Sequence, residues 1–431
     1  MRTFVLAVAS LVAAPIASVS GQAQTLPHFV LTELLGSPAA QVLELDPLTG
    51  AYQPIIGFPS DNLPPLAMAQ DPIDGDLLVA LWEAVGNSRV VRLHRFAGAY
   101  VEVPVVTVPG RVVDLAVVLE SVLIAVDAAN GGVYRAPRRG GAATLVLPQP
   151  NLTAMNAFDY DGLALAWTGR PGTPALDSGV GVMSATQLQW WFGPFLFPNP
   201  GGREITGVLD MPTGVPRQLL TFDDGTMELF SGFVIPPGQP LVFVPPLPVG
   251  ATTALHFLGS YSLPVAALGN GAYPFLYTVD PWSTAVTQVS QALPGSPLDF
   301  AYGVSASAHA IPYGVACGAE VLQQTVPATA QLGGAMVVAV NGAPNLAVLF
   351  AAGLDDFALG QLPATLPGGC VLEVSPDVVL LEVTSPSGGA TKTINVPALP
   401  ALLGTVVHTQ WAHYDPAGIS VSRAIANWIG S

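Results

Sequence analysis

Glu83, Asp127, Asp177, Glu204 and Asp299, together with Arg111 and Arg203, are the side chains of this chain best suited to act chemically as a group. Carboxylates opposed by guanidinium groups can hold a cation, bond the hydroxyls of a sugar, or exchange a proton as an acid–base pair. They are far apart in sequence, so they form a site only if the fold gathers them at one mouth. Solvated loop positions are the competing reading, since loops collect charge in any soluble fold. Trp190-Trp191-Phe192 adds a possible sugar-stacking surface, although neighbours on a strand face opposite sides and one ring is expected in the core.

Motif chemistry is otherwise absent. There is no Gly-x-Ser-x-Gly elbow, His-Glu-x-x-His pair, phosphate loop or dinucleotide fingerprint. His28, His94, His256, His309, His408 and His413 are scattered, and strand alternation puts His408 and His413 on opposite faces, which argues against a shared metal. Asp71, Asp74 and Asp76 have the look of a calcium loop, but Asp76 stands where that loop needs glycine and Trp82 where it needs glutamate. A turn whose carboxylates bond nearby backbone amides is the expectation there. Calcium over the acidic set is the one cofactor the residues suggest, and no metal site is assigned.

The elements that must position these residues are strands. Of 431 residues, 51% are apolar and only 10% charged, yet the longest apolar stretches are interrupted, as by Asn341-Gly342 and Pro344. Asn-Gly between apolar runs marks a hairpin rather than a bilayer helix, so no membrane span is expected in the mature chain. The net charge of −16, with Lys392 as the sole lysine, argues against nucleic acid, which requires clustered cations. Arg135, Arg138 and Arg139 form the one basic cluster and read as a solvated turn.

Residues 1–23 read as a secretory signal, with Arg2, an apolar Phe4 to Ala14, and Gly21-Gln22-Ala23 as the cleavage site. No cysteine follows that site, so a lipid anchor is not expected; a secreted, periplasmic or cell-surface location is. Cys317 and Cys370, the only two cysteines, are then expected to pair. Closing that loop stabilises by about 4 kcal/mol in the chain-entropy view.

A unit recurs through residues 28–310: small-residue strand, turn, apolar strand, turn, apolar strand, then a Val/Pro-rich strand. The clearest copy is Leu66–Ala69, Leu77–Trp82, Arg89–Phe96 and Tyr100–Val108, and further copies start near Val112, Ala154, Ile205 and Ala254. Such repetition predicts stacked four-stranded sheets, a β-propeller. Residues 28–58 supply three strands and Asp299–Ala308 one more. Joined, they complete a sixth blade and close the ring, with seven blades as the alternative count. The seven charged residues above then fall on the face made by loops entering the inner strands and loops joining second to third strands.

Two fragments resemble known propeller repeats. Gly86-Asn87-Ser88-Arg89-Val90-Val91 is similar to the NHL-type turn, and Asp46-Pro47-Leu48-Thr49-Gly50 resembles the hairpin of YVTN-type surface propellers. These resemblances imply the fold and carry no function. From residue 311 to 431 short strands alternate with Pro/Gly turns, predicting an antiparallel β-sandwich stapled by the disulfide. Tyr313-Gly314-x-x-Cys317-Gly318, Gly368-Gly369-Cys370-x-Leu372, Leu399-Pro400-x-Leu402-Leu403-Gly404, Gln410-Trp411 and Ile419-Ser420-Val421-Ser422 resemble an uncharacterised C-terminal module of bacterial exported proteins. The resemblance implies attachment, sorting or stability rather than catalysis.

Two functional classes follow. One is an exported non-enzymatic binding or scaffold protein for an extracellular protein or carbohydrate. The other is a propeller enzyme of the lactonase, lyase or glycosidase kind, using the acidic residues over the channel.

Overall fold

The computed structural model describes residues 28–430 except for connecting segments, the longest being 241–253 and 355–363, and it describes few side chains between 149 and 273. The expected export signal therefore lies outside the described residues. Among the described residues there is no α-helix, and no helix is long and apolar enough to cross a membrane.

Six four-stranded antiparallel sheets form a propeller. Blade 1 is a composite: its inner strand is Ser296–Tyr302, and its remaining strands are His28–Glu33, Ala40–Leu45 and Tyr52–Phe58. The closing ladder pairs His28 with Tyr302, Val30 with Phe300 and Leu31 with Asp299. The inner strands of blades 2 to 6 are Leu63–Gln70, Arg111–Val118, Leu152–Tyr160, Gly202–Asp210 and Ala254–Phe257. Each touches the next around the ring, and that of blade 6 returns to blade 1.

Burial on both faces explains so apolar a composition. Alternate residues of one strand point to opposite neighbours. Leu77, Val79 and Leu81 of blade 2 pack with Phe29 and Leu31 of blade 1, whereas Leu78 and Ala80 pack with Val112, Leu115 and Val117 of blade 3. Val30, Leu43 and Leu45 of blade 1 turn the other way, onto Leu276 and Leu293 of blade 6.

The C-terminal part contains a six-stranded antiparallel sheet and a three-stranded one. Met336, Val338 and Val340 of the smaller sheet share one core with Val348, Phe350 and Trp411 of the larger. The disulfide joins Cys317 and Cys370. The expected single strand Ile419–Trp428 is instead two, Gly418–Val421 and Ala424–Trp428, aligned along Val406–Asp415. A bulge separates them, because Gln410 and Trp411 face the longer stretch Ser422–Ala424 between the Ala412–Val421 and Thr409–Ile425 pairs. Buried Ser422 secures it: its hydroxyl accepts the Trp411 N–H at 3.0 Å, and its carbonyl accepts the Gln410 amide at 2.9 Å.

Candidate functional site

Chain direction sorts the propeller's two faces. Inner strands begin on the face that also carries the second-to-third loops, and they end on the opposite face, where they turn into the second strands. Of the candidate residues, Glu83, Arg111, Asp127, Arg203, Glu204 and Asp299 belong by topology to the first face. The second receives the C-terminal part.

On the first face, five of the six inner strands shift register near their entering ends, the exception being Ala254–Phe257. In blade 3 the irregularity lies between Val112 and Asp114, just inside Arg111; in blade 5 it lies between Gly202 and Glu204, making Arg203 the extra residue. In blade 1 Leu298 is the extra residue, next to Asp299. A bulge bends a strand and re-aims the side chains beside it. Alternation alone gives no signal for these positions, although Pro64-Pro65, Pro297 and Gly202 lie at or next to three of them.

The candidates differ in how far they meet. Exposed Arg111 is the cross-strand register partner of Asp127. Glu83 ends the second strand of blade 2 and pairs with Arg89 at 3.3 Å, while Arg89 also reaches Glu102 at 2.5 Å. All three are about a third exposed, where such pairs contribute only about 0.2–1 kcal/mol. Half-buried Asp299 accepts the backbone N–H of Met68 at 2.6 Å, a staple from blade 1 to the inner strand of blade 2. Arg203 and Glu204 lie on the entering strand of blade 5, with Glu204 opposite Thr221. Asp177 lies outside the described residues, just before the strand Ser178–Ser184. Trp190, Trp191 and Phe192 begin the outer strand of blade 4.

Among the described residues the densest charge cluster lies on the second face. Asp71, Asp74 and Asp76 in the turn between the first two strands of blade 2 do bond backbone amides: Asp71 accepts Ile73 N–H at 2.9 Å and Asp74 accepts Asp76 N–H at 3.0 Å. Their other oxygens face two arginines. Arg92 reaches Asp74 at 2.6 Å, Asp71 at 2.9 Å and Asp76 at 3.2 Å. Arg138 of blade 3 reaches the same Asp71 and Asp74 at 2.9 and 2.6 Å. His94 adds a 2.9 Å contact from Nδ1 to Asp76. Arg92 and Arg138 are each 1% exposed, so the basic cluster expected to be solvated is buried at this position. Burial works against the Arg92 charge and Arg138 repels it, but Asp74, Asp71 and Asp76 outweigh both and hold the guanidinium above its ordinary pKa.

Tyr313 of the C-terminal part covers this cluster, with its ring centroid 5.8 Å from the Arg138 guanidinium carbon. Ile73 enters an apolar cluster with Tyr313, Val374, Ala426 and Trp428. The Gly314 N–H donates to Glu120 at 2.7 Å, and Arg139 ion-pairs with Glu373. His408 meets the Tyr313 hydroxyl at 2.9 Å and His413 meets the Ala347 carbonyl at 2.6 Å, each through Nδ1. Among the described residues no group of three or more His, Cys, Asp or Glu side chains is arranged to hold a metal ion.

No protein-family model matches the chain, and no curated protein matches it. Among solved structures it is similar to the WD40 β-propeller domain of Doa1, at TM-score 0.39 and 11% identity over 64% of this chain and 82% of that one. It is also similar to the Pseudomonas aeruginosa periplasmic gluconolactonase PpgL, at TM-score 0.41 and 15% identity over 86% of this chain and 99% of that one.

Proposed function

We propose that this is an exported binding protein that presents a ligand face at the entering ends of its inner strands. The chain divides in this reading into an export signal (1–23), a propeller (24–310) and a C-terminal module (311–431). One observation carries the proposal: among the described residues the C-terminal part meets the turns of the opposite face, through Trp428–Pro72, Gly314–Glu120 and Arg139–Glu373, rather than the bulged mouth. Glu83, Arg111, Asp127, Arg203, Glu204 and Asp299 are assigned to that mouth from the ends of their strands, and Asp177 from the sequence alone. The expected ligand is an extracellular protein or carbohydrate recognised through acidic and guanidinium groups. The disulfide supports an oxidising compartment.

The test is a thermal-shift series on the full mature chain with a panel of oligosaccharides and lactones, with calcium and with chelator. A ligand-dependent rise lost in Arg111→Ala and Glu204→Ala, without turnover, supports binding. Turnover of a lactone or glycoside that falls in the same variants supports the acid–base alternative. A rise unchanged by either substitution moves the site away from this mouth.

A further inference from the structure

Among the described residues three pieces of the C-terminal part meet the propeller, and they are anchored unequally. The strand Ala424–Trp428 and Tyr313, which Gly314 directly follows, belong to the six-stranded sheet, where Tyr313 pairs with Ala424. The third piece is an arm, residues 370–374. Val371–Leu372 pairs only with Ala364–Thr365, in a two-stranded ladder. The arm nevertheless brings Glu373 to Arg139 and Val374 to the cluster around Ile73.

What ties the arm to the sheet is a short set of contacts. Gln410 accepts the Glu373 N–H at 2.9 Å and donates to the Val371 carbonyl at 3.3 Å. Tyr313 donates its hydroxyl to the Glu373 carbonyl at 3.3 Å. Buried Val374 packs against Val406, Ala424 and Ala426 of the sheet, and one further tie is covalent. Cys370, at the root of the arm, bonds Cys317, which bridges Val421 of the sheet with reciprocal backbone bonds of 3.0 and 2.7 Å.

We infer that the Cys317–Cys370 disulfide is a redox-sensitive clasp that holds the Glu373 arm against blade 3. Its opening frees the arm from Arg139 and leaves the Trp428 anchor seated on Pro72. The two ends of the bond differ in access. Cys370 is 1% exposed, whereas Cys317 is half-buried between exposed Ala316 and Gly318, with Val315 at 72% exposure nearby. A thiolate of an external dithiol therefore attacks at Cys317 and displaces the Cys370 thiolate. Its second thiol resolves the mixed disulfide, so the dithiol leaves as a disulfide and the protein gains two electrons and two protons as two thiols. The arm then keeps its hydrogen bonds, its two-residue ladder and the packing of buried Val374 against Val406, Ala424 and Ala426.

The test is amide hydrogen exchange on the full mature chain, oxidised and after incubation with dithiothreitol, with Cys317→Ala/Cys370→Ala as the permanently open form. Exchange is expected to rise roughly tenfold or more in residues 369–374 and in the blade 3 turn at 138–141. It is expected to change by less than about twofold in the Asp71–Asp76 turn and in Ala424–Trp428. An equal rise at all four places overturns the proposal, since the disulfide would then support the whole module. So does no rise at the arm, or a disulfide that dithiothreitol leaves intact in the folded protein. Gly314→Ala is an independent route to the same opening. Gly314 has φ +67°, and a Cβ there would lie 2.9 Å from Glu373 Cγ, so the variant should loosen the arm with the disulfide intact.

Discussion

The indole N–H of Trp428 donates to the carbonyl oxygen of Pro72 at 2.6 Å, joining the last strand of the chain to a turn of the second blade. The ring is 2% exposed and lies over Gly75, where an added Cβ would sit 3.2 Å from it. Trp428→Phe keeps most of the packing and leaves the carbonyl unpaired, which should cost about 1–3 kcal/mol. Trp428→Ala should cost about 3–5 kcal/mol, because it also leaves a cavity between the two parts. Urea midpoints of the two variants measure both steps.

The buried cluster should be more sensitive than any surface pair. Arg92→Met removes the guanidinium that reaches all three of Asp71, Asp74 and Asp76, while Arg138 reaches Asp71 and Asp74, and should destabilise by about 3–5 kcal/mol. Arg89→Met, removing the exposed pairs to Glu83 and Glu102, should cost less than about 1 kcal/mol. Thermal melts at low and high salt check the contrast, since only the exposed pairs are screened.

The raised pKa of Arg92 fixes the sign of its pH dependence. A group whose folded pKa is raised contributes fully below its unfolded pKa and loses that contribution only as pH climbs through the folded value. For a guanidinium both values lie above the working range, so Arg92 should contribute a constant stabilisation between about pH 5 and 9. The difference in stability between the parent chain and Arg92→Met, followed across that window, should show no alkaline decline from this residue.

Two turn glycines should respond differently to the same change. Gly50 has φ +68°, and its added Cβ would meet the Val289 carbonyl of blade 6 at 2.4 Å, so Gly50→Ala combines backbone strain with a clash. Gly86 has φ +83° with nothing within 4 Å, so Gly86→Ala should cost only about 1 kcal/mol and Gly86→Asn still less. Gly50→Ala should exceed that by about 1–3 kcal/mol in denaturant titrations.

Hydrogen exchange also tests closure of the ring. The amides of His28–Glu33 should be protected as strongly as those of Ser296–Tyr302, because the two strands are one ladder. Exchange of the first strand at the rate of a frayed terminus would show an open propeller.

Alternation and turn chemistry made the blades legible in the sequence. The strands expected at Leu77–Trp82 and Arg89–Phe96 are found at Leu77–Glu83 and Asn87–Phe96, and the leftover N-terminal strands pair with the segment they were expected to join. Arg138 was not legible as a buried residue, because its partner Asp71 is 67 positions away and local charge density reads as solvent exposure. The break at Ser422 was hidden for a related reason. The apolar phase shifts from Ile419 and Val421 to Ala424, Ala426 and Trp428, but Ile425 keeps the earlier phase as well, and only the register against Gln410 and Trp411 shows the extra residue. At the candidate mouth, topology was readable, while the bulges beside Arg111, Arg203 and Asp299 depend on pairing that no single strand encodes.

The ladder between His28–Glu33 and Ser296–Tyr302 also dictates an order of events during biosynthesis. A chain that emerges N-terminus first carries the strand of Phe29, Val30 and Leu31 paired with Ala40–Leu45 on one edge only, its other edge open until nearly the whole toroid has left the ribosome or the translocation pore. The opening strand is thus the sticky end of an unfinished polypeptide, the segment a holding chaperone would have to shield, and it becomes safe only when synthesis comes full circle.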